Sequence, residues 1–259
     1  MTTAGTASSL SSRSLYNCGV VRAVLFDLDD TLFDHRHCAR SALAGVRRLH
    51  GCFDRFDDAQ LEQAHGRILE ELHVEVLAGR LDLDSARVER FRRLYDHAGV
   101  DAGTELAERA AAAYRDHYVR ARAPVPGAIP LLARVRERAA VVIVTNNLLQ
   151  EQKAKLRACG LDRYVDVLVV SEEAGVSKPD ARIFTLALTR AGVDASAAVM
   201  VGDSWTNDIE GARRLGMRAV WFNRDGAESP HPDVPAIHSL EPVDGVLAAI
   251  FQTAPDRQV

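Results

Sequence analysis

The chain predicts an α/β fold, a doubly wound (Rossmann-like) parallel sheet with a helical segment inserted after the first strand. Three observations lead there. Short β-branched apolar runs alternate with helical patterns from Pro126 onward, as in a parallel sheet covered by helices. Gly160, Gly192 and Gly216 stand just past three of the helical patterns, where a helix C-terminus favours glycine. Residues 34–123 interrupt the alternation and contain no strand-like run.

The strand-like runs are 20–26, 140–145, 165–170, 198–201 and 218–222, with a weaker sixth near 236–240. Helical patterns fill 127–138, 148–159, 181–191 and 206–215. Within 34–123 the apolar spacing gives three or four amphipathic helices, broken near 51–57, 79–84 and 99–104. The expected organisation is a loose tail at 1–19, an α/β core from 20–33 and 124–259, and a helical cap at 34–123. Residues 253–259 read as a frayed end.

With 259 residues, 47% of them hydrophobic, the chain can bury a substantial core. Its net charge of -4 argues against a partner such as nucleic acid, which selects a basic surplus. The insert does not change this, for its 15 arginines face 16 acids. No run reaches the roughly 18 apolar residues that span a bilayer, so no membrane partner is expected. Cys18, Cys38, Cys52 and Cys159 form no CxxC pair and no zinc spacing, which predicts free thiols in a reducing, cytoplasmic setting. Only three lysines, Lys153, Lys155 and Lys178, stand against 29 arginines, so a retained lysine marks a position of interest.

The chemistry gathers at strand ends. Asp27-Leu28-Asp29-Asp30-Thr31 follows the buried run Val24-Leu25-Phe26, at the strand end where open α/β sheets bind ligands. A spacing of two along extended chain would send Asp27 and Asp29 to one side, and like charges so close call for a cation or a proton. Thr145-Asn146-Asn147 follows the second strand, where a hydroxyl, an amide and free N–H groups can hold an anion. Ser177-Lys178-Pro179-Asp180 follows the third strand, and Gly202-Asp203 with Asp208 five residues on follows the fourth. Taken singly, each has an ordinary reading as a turn, a cap or a solvated loop.

Together, in this order and strand context, the four segments resemble the motifs of the haloacid dehalogenase superfamily: DxDxT, a threonine after the second strand, a lysine before proline, and GDxxxxD. The resemblance spans about residues 20–250; the insert looks like the cap of the subclass that carries it directly after the first motif, which includes phosphoglycolate phosphatases, nucleotidases, acylneuraminate phosphatases and dehalogenases, and residues 171–188 look most like the nucleotidase and acylneuraminate phosphatase branch. It implies a Mg2+-dependent phosphatase with Asp27 as nucleophile and Asp29 as acid and then base. Magnesium would lie between Asp27, the backbone carbonyl of Asp29, and Asp203, with Asp208 steadying the metal site and Lys178. Thr145, Asn146 and Lys178 would meet the phosphate. Asn147 departs from the glycine common at that point. The implied partner is a small phosphorylated metabolite, a nucleoside monophosphate or sugar phosphate, acted on by a monomer or homodimer. Two alternatives stay open: a dehalogenase, which lacks an acid at the Asp29 position, and a non-catalytic module of the same fold. Phosphonate cleavage is set aside, because residues 34–123 contain no lysine.

Overall fold

In the computed structural model, which describes residues 20–252, six strands form the sheet: β1 (Ala23–Phe26), β2 (Ala140–Thr145), β3 (Val167–Val170), β4 (Ala198–Gly202), β5 (Arg218–Phe222) and β6 (Ala236–Ile237). The tails expected at 1–19 and 253–259 lie outside the described residues. All pairings are parallel, in the order β3-β2-β1-β4-β5-β6. Phe26 of central β1 stands opposite Ile143 on one side and Val201 on the other. The chain builds outward from β1 through β2 to β3, then returns to lay β4, β5 and β6 on the opposite flank. Strand order therefore reverses at β1, and a crevice opens at the carboxyl ends of β1, β2 and β4.

Successive strand residues point to opposite faces, and the core divides accordingly. Val24, Phe26, Val141, Ile143, Val199 and Val201 pack on one face, while Ala23, Leu25, Val142, Val144, Ala198 and Met200 pack on the other. Helices α5 (Ala128–Arg136), α6 (Leu149–Ala158) and α10 (Val243–Phe251) supply apolar residues to the first face. The short α7 (Ser171–Ala174) with α8 (Ala181–Ala191) and α9 (Gly211–Arg213) lies on the second.

Several predicted elements are trimmed. Val20 is 60% exposed and lies outside β1. The third strand begins at Val167 because residues 162–164 form a 3₁₀ turn and the Asp166 carboxylate accepts a 2.9 Å bond from the Val141 N–H. The helix expected at 206–215 starts as a π turn over Trp205–Glu210, with both Asp208 N and Ile209 N donating to the Ser204 carbonyl.

The insert folds as α1 (His35–Arg47), α2 (Asp58–Leu77), α3 (Leu83–His97) and α4 (Gly103–Arg120). Local chemistry sets three of the starts. Asp34 and Asp82 cap α1 and α3, and Asp57 with Gln60 forms a capping box at α2. The insert's apolar interior is continuous with one face of the sheet through Leu32, Phe33 and Cys38. Its two connections to the core run side by side: Asp34 N donates to Ala123 O at 3.0 Å and Val125 N to Leu32 O at 2.9 Å. Among the described residues no helix is long and apolar enough to cross a membrane.

Helices α1 and α4 meet at Gly45, where an added Cβ would lie 2.1 Å from His117 Cδ2. Gly45→Leu should therefore lower unfolding free energy by about 1–3 kcal/mol through overpacking. Urea denaturation reads this directly, and an unchanged midpoint would mean the helices part freely.

Candidate active site

Each strand-end segment reaches the crevice for a local reason. Phe26 ends β1 in the core, and Asp27 N still donates to Val201 O at 3.0 Å, so the Asp27 carboxyl emerges at the edge of the sheet. The chain then turns sharply: Leu28 O accepts from Thr31, Leu32 and Phe33, and Asp30 takes the left-handed conformation at φ 65°. Asparagine and aspartate tolerate that region best among residues with a side chain. Asp30 accepts from Arg36 N at 2.8 Å and pairs with Arg36 and Arg224, a structural use of its charge.

Four of the predicted residues converge. Oxygens of Asp27, Asp203 and Asp208 lie within 4.8 Å of one another. The Lys178 ammonium donates to Asp27 at 2.6 Å and to Asp208 at 2.7 Å, and it is buried with both. The π turn brings Asp208 back beneath the end of β4, where its second oxygen accepts from Ser204 N at 3.0 Å. Only glycine fits at 202, since a Cβ there would sit 2.3 Å from Asp208 Oδ2. Thr31 ties the first and fourth segments together, accepting from Asp203 N at 3.1 Å.

Burial pushes the Asp27 carboxyl well above its usual range, opposed by Lys178 and reinforced by Asp208 and Asp203. Asp203 is pushed up to about 7 by burial and by the like charges of Asp208 and Asp30. Burial pulls the Lys178 ammonium down, but Asp208 and Asp27 outweigh it and hold it charged. The cluster is thus short of positive charge.

Asp29 points elsewhere, contrary to the same-side expectation from its spacing. β1 ends before Asp27, so the alternation of a strand no longer applies, and the Asp29 carboxylate is not among the clustered oxygens. It accepts from Lys155 at 2.6 and 2.8 Å and from Gln152 at 2.9 Å. Burial raises its pKa, but Lys155, His35 and Gln152 outweigh it, and the carboxyl is held below its ordinary range. Lys155 and Gln152 were missed from sequence. The signal was present, for Lys155 is one of three lysines and sits three residues from Gln152, on the same face of α6.

Thr145 is buried at the end of β2 and accepts from Gln152 at 2.7 Å. The Asn146 side chain grips the backbone of Lys178, accepting from its N at 2.7 Å and donating to its O at 3.0 Å. It aims the lysine loop. Asn147 needs no glycine-like backbone, and its carboxamide oxygen accepts from Leu148 N at 2.8 Å. Trp205 packs edge-on against Trp221 of the core, with centroids 5.0 Å apart, and stacks on His231. His37 is exposed, while His35 lines a cavity and bonds to Tyr118 at 2.7 Å.

That cavity, of about 290 Å³, lies between Asp29, Asn146 and Lys155 of the core and α2, α3 and α4 of the insert. Its walls are joined by contacts across the gap: His73 to the Asn146 carbonyl at 3.0 Å, and Arg87 and Arg115 to Glu151 at 3.0 and 2.9 Å.

The chain is similar to known proteins over most of its length. The sequence model of the haloacid dehalogenase-like hydrolases matches residues 21–216. Pyrimidine 5'-nucleotidase YjjG of Escherichia coli K12 is 31% identical over 224 residues, covering 84% of this chain and 95% of its own. A glyceraldehyde 3-phosphate phosphatase of Methanopyrus kandleri is 34% identical over 221 residues, covering 83% and 91%. The magnesium-bound structure of the HAD-hydrolase YfnB from Bacillus subtilis superposes with a TM-score of 0.70 at 26% identity, covering 88% of this chain and 99% of that one. With four strand-end segments at one crevice and these likenesses over most of its length, the chain belongs to the haloacid dehalogenase-like hydrolase family.

Proposed function

We propose that the protein hydrolyses a small phosphomonoester, with Mg2+ as cofactor and a phosphoryl group carried transiently on Asp27. The observation carrying this reading is the meeting of Asp27, Asp203 and Asp208 oxygens within 4.8 Å beside the buried Lys178 ammonium. Three carboxylates against one ammonium leave two negative charges, which a divalent cation would balance. A donor set made only of oxygens suits a hard one such as Mg2+. Asp27, Asp203 and the backbone carbonyl of Asp29 would hold it, with Asp208 steadying the cluster. Once bound, the ion would screen phosphate charge and favour the carboxylate forms of its ligands.

The chain's own residues do the rest. An Asp27 oxygen attacks phosphorus, the ester P–O bond breaks, and Asp29 protonates the leaving oxygen. Water then attacks phosphorus, Asp29 takes its proton, and Asp27 is released with orthophosphate. The pairing with Lys155 keeps Asp29 in the carboxylate form that the second half needs. In the first half that pair must part so that the carboxyl can carry a proton. Residues 34–123, read as a cap, would open and close over the site to admit substrate and release product, in keeping with the interdomain movement of the Bacillus relative. Thr145 and Lys178 would meet the phosphate oxygens, while Asn146 holds Lys178 in place.

A nucleoside monophosphate or sugar phosphate suits the site, in keeping with the substrates in the two relatives' names. A dehalogenase reading is disfavoured because halide departs without a proton or a cation, leaving the acidic cluster without a purpose. Free Cys38, Cys52 and Cys159 support a cytoplasmic setting.

Asp27→Asn should abolish phosphatase turnover while the circular dichroism spectrum stays native, and retained turnover would remove Asp27 as the attacking group. Chelation of divalent ions should stop activity and Mg2+ should restore it. Protons compete for an Asp203 carboxyl sitting near about 7, so the Mg2+ concentration for half-maximal activity should rise as pH falls below that value. A pH-independent requirement would count against this ligand set. Lys178→Met strands two buried carboxylates, and the metal-free protein should lose about 3–5 kcal/mol by urea denaturation.

A further inference from the structure

The cavity over Asp29 contains a cation with no acidic partner among the described residues. Arg90, on α3, is 9% exposed, and its Nε is buried without a hydrogen-bond partner among the described residues. Its guanidinium lies over the Tyr114 ring at 4.7 Å and the Phe91 ring at 5.2 Å. The other cations lining the cavity are matched: Lys155 by Asp29, and Arg87 and Arg115 by Glu151. The remaining acid of the lining, Glu70, is exposed at the rim.

Two more orphaned groups stand beside Arg90. The Tyr114 hydroxyl, on a ring that lines the cavity, has no partner among the described residues. His65 stacks on Tyr114 at 4.8 Å between centroids, and its Nε2 is likewise unpartnered. Burying an ionised group or a hydroxyl without a partner costs free energy, so Arg90 and Tyr114, which both line the cavity, point to a ligand that completes them. Arginine has donors and no acceptor, and tyrosine can add a donor, so the ligand must be rich in acceptors and negatively charged.

We propose that Arg90, with Tyr114, binds a second anionic group on the substrate's leaving portion, a carboxylate or a further phosphate. The cavity joins this site to the core. It runs from Asp29, the proposed proton donor, to Arg90, so a leaving group released at one end would reach the guanidinium at the other. The Leu69, Leu83 and Ala111 side chains that also line it favour a short carbon chain over bulk water. The preferred substrate class is therefore a phosphomonoester with an acidic leaving group. This rests on the phosphatase reading and narrows it to acidic sugar phosphates and bisphosphates rather than nucleoside monophosphates.

The test is a series of alkyl phosphates of increasing length, each compared with the ester of the same length ending in a carboxylate or in a second phosphate. At a matching length the wild-type protein should favour an acidic ester by about tenfold or more in kcat/KM. Arg90→Met should bring the ratio close to unity, with Arg90→Lys between. The two acidic arms distinguish carboxylate from phosphate. Arg90→Met should also keep or raise the wild-type Tm, since it removes a buried charge and no ion pair is lost, whereas a structural arginine would lower it. Indifference of the wild type to leaving-group charge at every length, or a preference that survives Arg90→Met, overturns the proposal. If no ester is turned over with Mg2+, the phosphatase reading fails, and thermal shifts then judge Arg90 alone. Stabilisation by the acidic esters that is absent in Arg90→Met supports the anion site, and equal shifts in both proteins refute it.

Discussion

Mutual repulsion among three clustered carboxylates, two of them buried, is the constraint around which this molecule is arranged. With oxygens within 4.8 Å, each pair of full charges repels by roughly 3–4 kcal/mol at an effective dielectric near 20. Lys178 offsets part of this by bonding Asp27 and Asp208 together. Its loop is held by Asn146, and Asp208 reaches it only because the helix start opens into a π turn beneath Gly202. What the lysine leaves unbalanced appears as the raised pKa values of Asp27 and Asp203. A metal-free site of this kind is predisposed toward a cation, which makes stability and cofactor binding two expressions of one electrostatic imbalance.

The insert has a separate task. Its helices contribute no carboxylate to the cluster; they roof Asp29 and surround a cavity whose unmatched charge is positive. On the proposed reading, a negative centre would serve the ion and a positive, aromatic-lined chamber the leaving group, dividing reaction from selection between two parts of the chain. The two meet at Asp29, where Lys155 and Gln152 of the core face His35 of the insert.

Much of this was legible from the residues. The five main strands, the breaks between the inserted helices and the strand-end segments rest on patterns local in sequence, so periodicity and turn chemistry suffice to find them. The errors were local too. Strand ends retreated where Asp166 bonded to a neighbouring backbone, and the 206–215 helix opened into a π turn to accommodate Asp208. Trp205 packs on Trp221, a contact between segments that no short-range pattern connects.

Sequence by itself determined which acids, and which lysine before a proline, would gather at the crevice, because a doubly wound sheet brings the ends of its central strands together whatever the details of packing. Tertiary structure alone decided the direction of each side chain and the partner it met. It turned Asp29 from Asp27 toward Lys155, gave the Asn146 side chain to the Lys178 backbone, and left Arg90 buried without a counter-ion. Those outcomes depend on groups up to 126 residues apart coming within hydrogen-bond reach, and distances across the fold are set by packing rather than by position along the chain.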